Sequence, residues 1–298
     1  MTVSVAEYLG IRTDMGFEIT PVKAGSRQAC PFKASPCEKV AQGKKPICSV
    51  RDVGDDNTLW ISCEHRLCST TQDLPLTDYQ KLILKKVGNR IYRNLQPGDL
   101  KVAREVRVPV ESGSSYSADF VMWRNNPLIS GPLSPERPVI LEMQGGGETS
   151  QTGKLTRHVN NWEQGHASLS DPVNQVGPIV TNAWRRQQEQ FLVKGNVALY
   201  SGGKMVFCIG TKIYDYLMPR LTVTTKFLDL RNANWTLALL VFKESNPANP
   251  PPVPADRSIP IEIDDSKSLF TNYSSFVQAI TNQGSPCTSL FNRPYEEV

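Results

Sequence analysis

The sequence has no run of 18 apolar residues, and Glu7 and Asp14 interrupt its first fifteen positions. Neither a membrane span nor a secretory leader is therefore expected. Histidine is scarce, with three residues in the chain, and no Cys-x-x-Cys pair occurs. His158, Asn160 and His166 thus read as ordinary surface residues rather than a His-Asn-His nuclease motif. A phosphate loop is also missing: five residues separate Gly147 from Gly153 where four are required, and Leu155 follows Lys154 where Ser or Thr should stand. No internal repeat is found. The seven cysteines, an odd number without a leader, argue against a disulfide framework and for reduced thiols. What is present is a chain of 298 residues, 39% hydrophobic and 21% charged, long enough to bury roughly three quarters of its unfolded surface. That predicts a globular protein in the cytoplasm.

The net charge of +4 is unevenly spread. Residues 1–110 carry 17 Lys/Arg against 12 Asp/Glu, and 154–243 carry 11 against 5. Between them, 111–149 carry 2 against 5, and 244–298 carry 3 against 7. An acidic island between two basic flanks suits a polyanion partner with a cation site at its centre, because phosphates attract Lys and Arg while divalent metals take carboxylates. Scattered charge on solvated faces is the plainer alternative.

Five cysteines crowd together: Cys30, Cys37, Cys48, Cys63 and Cys68. Pro31, Pro36, Gly43, Pro46 and Gly54 mark the intervening chain as loops, which need cross-linking to keep a shape. A reduced thiolate cluster can supply that by holding a tetrahedral metal, with the first four cysteines as ligands. Buried free thiols are the competing reading. Cys208, in an apolar run, reads as a small core residue.

Periodicity orders the rest. Thr77 caps a helix whose Tyr79, Leu82, Ile83, Val87 and Ile91 recur at helical spacing, ending before Pro97-Gly98. Three strands follow at 105–110, 116–123 and 138–144, then a polar segment to about Val176 and a helix over 180–200. Strands resume at 204–209 and 234–243. A Pro-rich connector spans Asn246 to Pro254, and an edge strand at 259–263 and a helix over 267–281 close the chain. The expected divisions are 1–75, 76–245 and 246–298.

Chemistry concentrates at Asp119, Glu142 and Gln144. Strand residues i and i+2 share a face, so Glu142 and Gln144 of Val139-Ile140-Leu141-Glu142-Met143-Gln144 project together from an otherwise apolar strand. A carboxylate there is costly without a compensating cation or donor. If Asp119 lies on the neighbouring antiparallel strand, the two acids can share one Mg²⁺, the minimal machinery for phosphodiester hydrolysis, with Gln144 positioning the water.

Three stretches together resemble the NotI restriction endonuclease group. They are Ala29-Cys30-Pro31-Phe32 with Cys37, Ile47-Cys48-Ser49-Val50 and Trp60-Ile61-Ser62-Cys63; Ala118-Asp119-Phe120 with Val139 to Gln144; and Gly177-Pro178-Ile179-Val180-Thr181-Asn182-Ala183-Trp184-Arg185-Arg186. The likeness covers roughly residues 28–200. It implies an α/β fold: a PD-(D/E)XK nuclease core with a mixed central sheet flanked by helices, in which Gln replaces the usual Lys, behind a loop-rich N-terminal domain binding iron through four cysteines. Carried over, the iron ligands fall on Cys30, Cys37, Cys48 and Cys63, leaving Cys68 without a counterpart. The catalytic acids fall on Asp119 and Glu142, the substituted lysine on Gln144, and a further upstream acid on Glu105.

The resulting expectation is a Mg²⁺-dependent type II restriction endonuclease from a bacterial cytoplasm, cutting double-stranded DNA at a palindromic site. A palindrome calls for two active sites related by a dyad, hence a homodimer. GC-rich specificity is implied by the resemblance alone, as is iron over zinc. A cognate methyltransferase would protect the same site. Lys154, Arg157, Arg185 and Arg186 are the expected DNA contacts. A DNA-binding protein without catalysis, and a purely structural protein, are the alternatives.

Overall fold

A computed structural model describes residues 1–69, 73–92, 94–109, 115–124, 137–245, 257–282 and 284–285, except the side chains of residues 109, 115, 186, 187, 189 and 190. The Pro-rich connector, 246–254, and Cys287 lie outside the described residues.

The chain builds two sheets. The N-terminal sheet has the order β2-β1-β3-β4, with β8 added beside β1. Its strands are β1 (Thr2–Tyr8), β2 (Ile11–Arg12), β3 (Ile47–Asp52), β4 (Thr58–Ile61) and β8 (Val173–Asn174). Between β2 and β3 lie a long loop and the single-turn helix α1 (Glu38–Ala41), and a 3-10 turn, Glu64–Leu67, follows β4. The larger sheet has the order β11-β10-β9-β7-β6-β5, with β12 also paired to β10. It comprises β5 (Leu100–Pro109), β6 (Ser115–Arg124), β7 (Val139–Gln144), β9 (Lys204–Gly210), β10 (Leu237–Glu244), β11 (Ile261–Ile263) and β12 (Leu269–Thr271). β5, β6 and β7 run antiparallel in succession, and β7, β9 and β10 run parallel, so the sheet is mixed.

Helices cover both faces of this sheet. On one side is α2 (Asp78–Ile91), opened by the capping box expected at Thr77: its hydroxyl accepts from the Gln80 amide, and the Gln80 side chain accepts from the Thr77 amide. Tyr79, Ile83, Leu84 and Val87 pack on Phe120, Met122, Leu141, Met143 and Val206. On the other side are α4 (Val180–Tyr200), α5 (Thr211–Leu221) and α6 (Tyr273–Thr281), packed against Met205, Phe207, Ile209, Leu237 and Leu239. Strand alternation sorts these sets: even-numbered residues of β9 face α2 and odd-numbered ones face α4. Phe191 anchors α4, its ring 4.0 Å from that of Phe207 and 4.8 Å from that of Phe276.

The segment read as polar to Val176 contains α3 (Thr152–Glu163), whose narrow apolar stripe of Leu155 and Val159 seats it on the N-terminal sheet. The expected helix over 267–281 is shorter, because Leu269, Phe270 and Thr271 pair with β10 before α6 begins. β1 escaped the sequence reading. It is buried along nearly its whole length, and its Glu7 is fully buried. Glu7 accepts from Ser49 Oγ (2.6 Å), the Ile259 amide (2.8 Å) and Arg66 Nε (2.8 Å), while Arg66 also bonds Tyr79 Oη and the Ile259 carbonyl and lies over the Phe32 ring. One buried ion pair thereby ties the N-terminal sheet, the 3-10 turn, α2 and the chain after the connector.

The two sheets meet at the glycine triplet after β7. Gly146 pairs with Ile61 at the end of β4, the Gly147 amide donates to the Ile61 carbonyl (3.1 Å), and Trp60 Nε1 donates to the Gly147 carbonyl (3.1 Å). A Cβ on Gly146 would stand 2.2 Å from the Ile61 oxygen, so no larger residue fits without parting the strands.

Candidate functional site

The site forms where β6 and β7 separate. Their pairing runs Met122 with Val139, Val121 with Ile140 and Phe120 with Leu141, then stops. The next residues in register are Asp119 and Glu142. Their carboxylates take over the ladder: the Asp119 amide donates to Glu142 Oε1 (3.3 Å), and the Met143 amide donates to Asp119 Oδ2 (2.8 Å). The two acids singled out in the sequence are thus brought face to face on the α4 side. Glu142 is 3% exposed, and Asp119 is partly buried.

Glu105 joins them on β5. Arg104 pairs with Phe120 and Val106 with Ala118, which sets Glu105 across from Asp119, and its φ of +44° is unusual for a non-glycine residue within a strand. Left-handed backbone of this kind is held in place only by its surroundings, and it gathers at functional sites. Gln144 lies two residues beyond Glu142, and its Nε2 donates to the Gly146 carbonyl (2.5 Å).

The residue that sequence reasoning missed is Lys194. Its Nζ lies 2.8 Å from Glu142 Oε1, with only 1% of its side chain exposed. Phe191 and Lys194 are one helical turn apart and so share a face. Phe191 packs on Phe207, which is the β9 partner of Glu142, and Lys194 is consequently delivered to the carboxylate. The one signal available beforehand was a lysine three residues from an aromatic on the apolar side of a helix.

Charge is unbalanced here. Burial pushes the Glu142 carboxyl up to about 8, with the Asp119 charge adding to the rise and Lys194 opposing it. Asp119 is raised for the same first reason, burial, and also by the charges of Glu64 and Glu105, against a lowering by the Met143 amide and Lys194. A divalent cation would reverse this arrangement, and the donor set, two or three carboxylate oxygens, is the kind that Mg²⁺ accepts.

These acids and the cysteines share a cavity of about 690 Å³, lined by Asp119, Glu142 and Gln144 on one side and by Cys30, Cys37, Cys48 and Cys63 on another. Burial raises the thiols of Cys30, Cys48 and Cys63. Two of them also sit under pairs of backbone amides that favour the thiolate: Phe32 and Lys33 over Cys30, His65 and Arg66 over Cys63. The ligand type and amide donors suit a thiolate metal, but the sulfurs do not converge. Among the described residues, the only potential ligand atoms that lie in a group of three within 4.8 Å are those of Glu38, Glu64 and His65. Cys68 and Cys208 are buried core thiols, Cys68 Sγ donating to the Gln80 carbonyl (3.6 Å).

The expected DNA contacts are elsewhere. Lys154 opens α3 and bonds the Gln175 side chain, while Arg157 and Arg185 are exposed; none of the three lines the cavity. The Arg186 side chain lies outside the description. No helix among the described residues is long and apolar enough to cross a membrane. No protein-family model and no curated protein matches the chain.

Proposed function

We propose that the protein is a type II restriction endonuclease that hydrolyses phosphodiester bonds of double-stranded DNA at a specific palindromic site, with a PD-(D/E)XK core of the NotI kind. One observation carries the reading: Asp119 and Glu142 face each other on adjacent strands beside a large open cavity, with one buried ammonium on Glu142. With both acids ionised, a negative charge is left over that a divalent cation would balance, displacing the proton that burial favours on Glu142. Asp119 and Glu142 would hold Mg²⁺, with Glu105 as a further carboxylate beside Asp119. Mg²⁺ there supplies a Lewis acid for the scissile phosphate and acidifies a bound water.

The chain's own residues do the rest. Gln144, fixed by its bond to Gly146, orients the attacking water. Lys194 is a positioning residue: it favours the ionised form of Glu142 against the burial that opposes it, and it supplies from a helix the positive charge that Gln144 lacks. Cys30, Cys37, Cys48 and Cys63 would hold iron or zinc as a structural centre once their sulfurs draw together. Lys154, Arg157, Arg185 and Arg186 would contact DNA, mostly its phosphates. A palindromic target requires a homodimer. A bacterial cytoplasm and a methyltransferase of the same specificity belong to this reading.

Incubating the protein with plasmid DNA and Mg²⁺ tests it. Discrete fragments are expected, and Glu142→Gln should retard the plasmid on a gel without cutting it. Wild-type protein that retards DNA but never cuts it, with Mg²⁺ present, would refute the nuclease in favour of a binding protein.

A further inference from the structure

The 3-10 turn and α1 face each other across the mouth of the cavity, each starting directly after a cysteine: Glu38 follows Cys37, and Glu64-His65 follow Cys63. One ligand atom from each of Glu38, Glu64 and His65 falls within 4.8 Å of the others. His65 Nε2 stands 3.5 Å from Glu38 Oε1 and 3.9 Å from Glu64 Oε1, close enough for the three groups to share a cation. His65 is only 7% exposed, and its buried Nδ1 has no hydrogen-bond partner. The ring turns Nε2 toward both carboxylates, and an imidazole buried this far with its other nitrogen unpaired is costly on its own. Lys33, itself 4% exposed, pairs with Glu38 and provides the only ammonium in contact with the cluster among the described residues.

We propose that Glu38, Glu64 and His65 form a divalent-metal site of their own, with one imidazole nitrogen and two carboxylate oxygens as ligands. It is distinct from the thiol set and from Asp119 and Glu142. Mixed nitrogen and oxygen donors suit a borderline ion such as Zn²⁺ better than Mg²⁺, which takes oxygen alone. Bound there, the ion would tie the 3-10 turn to α1 at the cavity mouth, taking over Glu38 Oε1 from Lys33, which pairs with that same oxygen. The proposal stands whether or not the protein cuts DNA.

The three histidines make the test direct. Full-length protein labelled with ¹⁵N at its imidazoles is titrated with Zn²⁺ and followed by NMR. One histidine should shift saturably, its signal should be missing from His65→Gln, and the shift should survive in Asp119→Asn. Glu38→Gln and Glu64→Gln should each weaken the Zn²⁺ affinity read from this signal by about tenfold or more. Unchanged His158 and His166 signals in the variants report an intact fold. A His65 signal unmoved by Zn²⁺, or moved with equal affinity in both glutamine variants, overturns the site.

Discussion

Lys194→Met tests the charge balance at the forked strands. In the metal-free protein Glu142 titrates near 8, against about 4.5 when unfolded. A carboxyl whose folded value is raised weakens the fold as pH climbs from the unfolded value to the folded one, and no further beyond it. In wild type that loss is complete by about pH 8. Without the ammonium 2.8 Å away, the folded value moves higher still, and the loss continues. Below pH 7 both proteins hold Glu142 protonated, so the substitution removes little more than a hydrogen bond, about 1 kcal/mol. By pH 9, one unit above the wild-type value, the variant should have lost about 1.4 kcal/mol more. Urea denaturation in the presence of a chelator, followed by fluorescence of the five tryptophans at pH 6 and pH 9, measures both figures. A destabilisation that is the same at the two pH values would show that Lys194 does not compensate Glu142, and the account of the site would fail with it.

Other consequences can be measured separately. Because Mg²⁺ must displace a proton from Glu142 below pH 8, its affinity by calorimetry should rise about tenfold per unit from pH 6 to 7.5; a flat profile would place the ion elsewhere. Glu7→Gln leaves Arg66 buried without its carboxylate and should cost about 3–5 kcal/mol in the same urea assay, far more than an exposed Glu→Gln change. Gly146→Ala drives a methyl against the Ile61 carbonyl and should lower the melting temperature, whereas alanine at the unobstructed Gly153 should not. Cys48→Ser should reduce the iron or zinc found by elemental analysis of the purified protein; equal metal in variant and wild type would remove Cys48 from the ligand set.

The parts of the fold that were legible are those where local preference and tertiary packing agree. Val180 and Tyr200 bound α4 as the composition predicts, and Thr77 caps α2 with the reciprocal bonds its sequence permits. Asp119, Glu142 and Gln144 were readable because carboxylates on apolar strands violate patterning, and such violations collect at sites. β1 was obscured because both of its faces are buried, so it lacks a clean alternation. Lys194 was invisible for a different reason: its partner is 52 positions away, and nothing in a helix announces which strand it will cross. Glu38, Glu64 and His65 are likewise joined only by the fold, which sets α1 against the turn after β4.

The fork between β6 and β7 makes occupancy of the carboxylates audible in the main chain. An ion taking Asp119 Oδ2 competes with the Met143 amide, and one taking Glu142 Oε1 competes with the amide of Asp119. Those two backbone protons are therefore built-in reporters. Their exchange with solvent deuterium would register the arrival of a ligand before any product appeared.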